Sequence, residues 1–174
     1  GLPDQLELPT DYQRPMETSY RGETIHFHID AGMHSRLVEL ARKNGVSLFM
    51  VLQAGLSALF TRLGAGTDIP IGSPIAGRND DALSDIVGLF VNTLVLRTNT
   101  SGDPSFKELL NRVKQANLAA YENQDVPFER LVEVLNPVRT RNSHPLFQVM
   151  LAFQNTPEAI FDVPDIEASL EIQS

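Results

Sequence analysis

The chain carries four histidines, His26, His28, His34 and His144, and no cysteine. His26 and His28 stand at i and i+2 in "ETIHFHID", so an extended backbone puts both imidazoles on one face, where two ligands can grip a metal. No third ligand accompanies them at a useful spacing, and a solvated or groove-facing strand surface is the simpler reading. His144, ahead of Pro145, is either a base or a turn residue, the turn being the plainer role. Ser73 lies between Gly72 and Pro74 and lacks the G-x-S-x-G surroundings of a strained nucleophile elbow. "GAGTD" at 64–68 has neither the lysine of a phosphate loop nor the spacing of a dinucleotide fingerprint, so it reads as a turn. The oddest stretch is "IVGLFVNTLVLR", residues 86–97. It sets Gly88 and an Asn92-Thr93 pair inside an apolar run, which a plain buried strand does not need. The glycine permits close backbone approach. The carboxamide and hydroxyl either reach outward to a partner or satisfy backbone groups at a strand end.

These residues need elements to hold them. Residues 1–20 contain Pro3, Pro9 and Pro15 without apolar periodicity and read as an extended lead-in. In "ETIHFHID", Ile25, Phe27 and Ile29 alternate with the histidines, which predicts a half-buried strand. From Met33, apolar residues at Leu37, Leu40 and Ala41 predict an amphipathic helix closed by Gly45. Ser47 caps a second helix reaching about Leu63, apolar nearly all round and ended by Gly64. "TDIPIGSPIAG", 67–77, is strand-like, and Pro70 and Pro74 make it an edge or irregular strand. A strand is expected at 90–96. Asp103 as cap and Pro104 as first residue start a helix whose inward stripe is Phe106, Leu109, Leu110, Val113 and Ala120. A shorter helix at 128–135 stops at Asn136-Pro137. "PLFQVMLAF", 145–153, reads as a buried strand and "IEASLEI" as a weaker last one. No repeat or linker divides the chain. Strands alternating with helical pairs predict an α/β (α+β) two-layer sandwich, a mixed sheet with helices packed on it.

Composition narrows the function. The 174 residues suit one domain; 42% are hydrophobic, 21% are charged and the net charge is −8. Tracking nucleic-acid phosphates or an anionic bilayer needs local positive charge that the sequence does not cluster, so neither partner is expected. Without cysteine there is no disulfide or thiolate chemistry. The longest apolar segment, 48–60, is well short of the ~20 residues that cross a bilayer. The lead-in is polar, and a cytoplasmic location is the default expectation.

Three separated words go further. "VGLFVNT" with Arg97 is similar to the signature "(V/I)GxFVNT…R", through Val87, Gly88, Phe90, Val91, Asn92, Thr93 and Arg97. "NQDVPFERLVE" is similar to "(H/N)QDxPFExLV", through Asn123, Gln124, Asp125, Pro127, Phe128 and Glu129. "RTRNSHPLFQVML" matches a third at Arg139, Pro145, Leu146, Phe147 and Gln148, and departs from it at Thr140, Asn142 and Ser143. With "GSPIAGR" and "LPTDYQRP", these words in order resemble the condensation domains of nonribosomal peptide synthetases, across nearly the whole chain.

The resemblance implies a chloramphenicol acetyltransferase-like half. In the family, two such halves form a V around a tunnel, which peptidyl or acyl carrier proteins enter on 4'-phosphopantetheine arms, and an acceptor amine attacks the donor thioester. No covalently bound cofactor is implied. The family's "HHxxxDG" motif is absent: no two histidines adjoin and no Asp-Gly occurs. The chain is thus expected to be a C-terminal condensation subdomain over 1–174, with 1–20 as lead-in, 21–174 as folded core and an incomplete C-terminal edge. Its expected partners are the N-terminal condensation subdomain, carrier proteins and an adjacent adenylation domain. The resemblance gives Gly88, Phe90, Asn92 and Thr93 to the tunnel wall, and Ser73 to an oxyanion or tunnel group. It gives structural roles to Arg78, Arg97, Gln124, Asp125, Pro127, Phe128, Glu129, Pro145 and Phe147, the two arginines as ion-pair partners. A non-catalytic carrier-docking module and an epimerization domain of the same superfamily are the alternatives.

Overall fold

The computed structural model describes residues 5–12, 21–78, 81–83, 86–137 and 144–154. Side-chain oxygens set the first two helix starts. Asp30 accepts from the Met33 N–H at 2.8 Å and opens α1 (Ala31–Asn44), which ends on Gly45 at φ 60. Ser47 accepts from Met50 N–H at 3.2 Å and opens α2 (Leu48–Arg62). Each cap satisfies a backbone donor that the first helical turn leaves open. Only Gly55, Leu59 and Arg62 of α2 are exposed, one narrow stripe on an otherwise covered helix.

Strands β1 (Asp68–Ile75) and β2 (Asn92–Asn99) pair antiparallel, with Ile71 opposite Leu96 and Gly72 opposite Val95. On its other side β1 makes a single parallel bridge, from Gly72 N–H to Val149 O and from Leu151 N–H to Gly72 O, each 2.9 Å. The prolines explain why it is single. Backbone polar groups alternate sides along a strand, so Pro70, Gly72 and Pro74 all turn toward 149–151, and proline has no N–H to give. The ladder to β2 stays whole while the second edge is cut to one glycine. This mixed pairing carries α2 on one face, where Leu56 and Phe60 pack with Ile69 and Ile71. Helices α1, α2 and α3 (Phe106–Tyr121) share a cluster of Ala41, Met50, Val51, Ala54, Leu109, Leu110 and Val113. The opposite face takes the short α4 (Phe128–Leu135): Val95 packs with Phe128, Leu131, Val132, Leu146 and Phe147.

A buried polar link ties helices to sheet. Gln53 and Asn117 exchange amide hydrogen bonds of 2.6 and 3.2 Å, and Gln53 also donates to Thr98 Oγ1 at 3.1 Å. All three residues are essentially inaccessible. Buried amides are tolerable only when paired in this way.

Several sequence expectations change. "ETIHFHID" is not a strand: residues 21–30 are exposed and outside any ladder, with Ile25 83% and Phe27 84% exposed. Alternation gives an extended chain, but no neighbouring backbone among the described residues pairs with it. Asp103 does not cap α3; it sits at φ 48, and Ser105 caps instead through a reciprocal box with Glu108. That box satisfies two donors where Asp103 would satisfy one. Phe106 is 39% exposed and leaves the inward stripe, which Asn117 joins. The strand expected at 90–96 is shifted to 92–99, and the one at 145–153 shrinks to the bridge at Met150. The lead-in is anchored: Leu6 is 3% exposed and its N–H donates to Gln148 Oε1 at 2.9 Å. The last expected strand, Arg139, Pro3 and Pro15 lie outside the described residues. No single described helix is long and apolar enough to cross a membrane.

Replacing Asn117 by alanine strands the Gln53 carbonyl and should cost about 1–3 kcal/mol in chemical denaturation. Replacing Gln53 and Asn117 together by leucine should cost less than the single change.

Candidate functional site

Asn92, the first residue of β2, spends its whole carboxamide on the "NQDVPFE" loop and the chain beside it. Its Nδ2 donates to the carbonyls of Gln124 and Val126, each at 2.9 Å. Its Oδ1 accepts from the N–H groups of Phe128 at 3.1 Å and Thr93 at 2.9 Å. Two donors and two lone pairs are all that the group has. The need is local to α4. Pro127 occupies its cap position and offers no side-chain acceptor, so Asn92 caps the helix from another element. Of the two roles open to Asn92 in the sequence, it takes the backbone one, and the amide has nothing left for an arm.

The third word packs under the same helix. The rings of His144 and Phe147 lie 3.9 Å apart, Phe128 and His144 5.2 Å, and Phe128 and Phe147 6.0 Å edge to face. Phe147, 5% exposed, rests on Gly72, where a Cβ would stand 2.4 Å from the ring. Glycine is required there by contact, not by φ. Gln148 Nε2 donates to His144 O at 3.2 Å while its oxygen holds Leu6, so the glutamine fastens both ends of the chain's described part.

"GSPIAGR" supplies the other support. Gly77 sits at φ 64, and a Cβ on it would lie 1.8 Å from Phe90 O. Arg78 donates to the carbonyls of Leu83 and, at 2.9 Å, Ile86, and its guanidinium lies 4.3 Å from the centre of the Phe90 ring. These contacts make it a staple of the 83–90 loop. Arg97 forms an ion pair: Nε reaches Asp68 Oδ1 at 2.7 Å and Nη2 the second oxygen. Donating to the Asp68 carboxylate raises the Arg97 pKa.

Two grooves flank this framework. One, of about 330 Å³, is lined by Gly77, Leu89, Phe90, Val91, Asn92, Gln124, Asp125, Pro127 and Glu129. The second, of about 210 Å³, has Thr93, Val95, Val126 and Phe128 in its wall. Phe90 and Asn92 therefore meet Gln124, Asp125, Pro127 and Glu129, Thr93 turns to the second groove, and Gly88 lines neither. Ser73, 6% exposed, alternates with Gly72 and so shares the sheet face of Ile71; it lines neither groove, though Leu94 opposite it lines the second. Pro145 stands half-buried beside the His144–Phe147 stack. Before the strand begins the chain is bare: Ile86 is 50%, Val87 100%, Leu89 91% and Val91 59% exposed. His26, His28 and His34 are exposed and distant in sequence from the grooves' lining, and no group of three metal-ligating side chains occurs among the described residues. Sequence reading missed Gly72, Gly77 and Leu6; the unusual glycine spacing in "GSPIAGR" was the available signal for two of them.

Replacing Asn92 by aspartate keeps the acceptor for Phe128 but sets an anion against two carbonyls. It should lower stability by about 1–3 kcal/mol in denaturant, more than replacing Arg97 by glutamine, since exposed ion pairs contribute about 0–1 kcal/mol. Burial lowers the His144 pKa below its ordinary 6.5, so folding favours the neutral ring. That contribution is complete above the ordinary value and is lost as pH falls from there through the lowered folded value. Unfolding midpoints should therefore drop below pH 6.5 more steeply for the native chain than for a His144→Phe variant.

The Condensation domain family model matches residues 1–174. Over 174 residues the chain is 75% identical to a dimodular nonribosomal peptide synthase of Bacillus subtilis (strain 168), covering 100% of itself and 7% of that relative. It is 47% identical over 169 residues to isonitrile lipopeptide synthase of Mycobacterium tuberculosis (strain ATCC 25618 / H37Rv), covering 97% of itself and 7% of the relative. It superposes on the X-domain from teicoplanin biosynthesis with a TM-score of 0.82 and 37% identity, over 86% of this chain and 33% of the other. A four-domain nonribosomal peptide synthetase bound to AMP and glycine gives 0.86 and 26%, over 90% and 12%. The chain thus spans a small part of the synthetases it matches. With its signature words folded into one framework and a family match along its full length, the chain belongs to the condensation domains of nonribosomal peptide synthetases.

Proposed function

We propose that this chain is the C-terminal half of a condensation domain and forms one wall of a tunnel in which carrier-bound thioesters are joined by an amide bond. The observation that carries the reading is the bare rim. Val87 and Leu89 stand almost fully exposed beside a groove built from two signature words. Contiguous exposed apolar surface marks a contact site, and the N-terminal condensation subdomain is the partner that suits it. Carrier proteins would present 4'-phosphopantetheine-linked substrates between the halves, with an adenylation domain adjoining, in a cytoplasmic assembly.

Chemistry on this side is positioning. The backbone at 88–91 and the apolar side chains around it would exclude water from a thioester, while Asn92 keeps the wall rigid by holding the 124–128 backbone. Among the described residues no histidine lines either groove, and the base that takes the proton from the attacking amine, a contribution of about 10²–10⁴-fold, would come from the other half. Half a tunnel also cannot align two substrates.

A docking reading has support of its own: a relative's X-domain, 36% identical with a TM-score of 0.81 over 86% of this chain, is known in complex with OxyB. A condensation-type fold can thus serve as a binding platform.

Carrier proteins loaded with aminoacyl groups, mixed with this chain, should give no dipeptide above background. Adding a separately produced upstream segment bearing the paired histidines should restore product, and replacing its second histidine should abolish it. Dipeptide from this chain alone would overturn the reading. Carrier binding without product, unchanged by the upstream segment, would favour docking.

A further inference from the structure

The sequence contains three lysines, Lys43, Lys107 and Lys114, and all of them line one hollow. It measures about 370 Å³ and lies between the end of α1 and the first half of α3, with Asn44, Glu108, Leu110 and Asn111 completing the wall. In a chain of net charge −8 this is a concentrated positive site. Lys43 is paired with Glu39 at 2.8 Å; Lys107 and Lys114 make no ion pair or hydrogen bond among the described residues. The hollow's own carboxylate is engaged, since Glu108 accepts from Ser105 N–H and Oγ–H at 2.9 Å each. Leu110, 1% exposed, closes the floor.

Helix electrostatics account for part of this. Lys43 is in the last turn of α1, and Lys114 Nζ lies 3.5 Å from where a Cβ on Gly45 would stand, so both offset the negative end of α1. Lys107 is different. It is the second residue of α3, at the helix end that favours anions and disfavours a cation. A lysine placed against the local dipole, with two more beside it, calls for an external anion.

We propose that this hollow is a docking socket for a carboxylate-bearing protein segment, a protruding loop or helix end rich in Asp and Glu. Shape and charge select that occupant. A bilayer or a nucleic acid presents an extended anionic face that would reach only the rim of the hollow, whereas a protruding segment enters the concavity. Flexible ammonium groups act as point charges and suit clustered carboxylates without fixed bidentate geometry. Sequence beyond this chain is ample in its relatives, of which it spans as little as 7% and 2%. The socket lies outside both grooves and stands whether or not the tunnel reading holds.

Titrating the 174-residue chain with hexaglutamate at low salt, followed by amide and lysine side-chain NMR shifts, tests this. Saturable shifts should centre on Lys43, Lys107, Asn111 and Lys114 and fade as salt screens them. A Lys107→Gln, Lys114→Gln variant, whose changes lie on accessible side chains, should bind about tenfold more weakly, with unchanged spectra elsewhere confirming its fold. Lys107→Arg should retain binding. Shifts scattered over the arginines, or hexaglutamate binding indifferent to the double change, would overturn the socket. Tighter binding of inorganic pyrophosphate than of hexaglutamate would overturn it too, in favour of a small-anion site.

Discussion

The candidate site depends on a single carboxamide. Asn92 joins a strand end to a loop and a helix start that lie more than thirty residues away, and every hydrogen-bonding valence of its side chain is filled by backbone. Backbone groups at a helix start are obligatory donors, and Pro127 cannot serve them. Without the clamp, the carbonyls of Gln124 and Val126 and the N–H of Phe128 would face one another with no partner. The wall of the larger groove is therefore a consequence of satisfied backbone, not of side chains placed for a ligand.

Close contacts extend the same logic outward. Phe147 lies on Gly72, and the Phe90 carbonyl abuts Gly77, so two glycines of "GSPIAGR" are fixed by what presses on them. Pro70 and Pro74 cut the second edge of β1 to one bridge, which leaves room for the Phe147 turn between β1 and α4. Arg78 gathers the loop carbonyls and covers Phe90, so that the apolar residues before the strand are displayed while the ring behind them is held. The exposed rim and the rigid wall are thus produced together.

Much of this was legible. The existence of α1 with its left-handed end at Gly45, the start of α2 and the full extent of α4 with its stop at Asn136 follow from caps and periodicity, because those signals are local, although the Asp30 cap of α1 was not read. The mixed α/β architecture followed from the same pattern, and the family from three motif words. Apart from the Asp103 cap, what failed was non-local. Alternation in "ETIHFHID" could not reveal whether a strand lay beside it. The Asp103-Pro104 signal lost to a reciprocal box two residues on. The sequence left Asn92 between an outward and an inward role, since a carboxamide at a strand end serves either, and only the position of residues 124–128 decides. Ser73, which the resemblance gave to an oxyanion or tunnel group, is turned by strand alternation into the sheet face with Ile71.

The most direct measurement of this account is native-state hydrogen exchange at the Phe128 amide, compared with Leu94 and Leu96 in the β1–β2 ladder. If the Asn92 oxygen caps α4, the Phe128 N–H is protected and opens in step with those strand amides, because the bond breaks only when β2 and the loop separate. Exchange of Phe128 at the rate of a free, solvated amide, with Leu94 and Leu96 still protected, would contradict it.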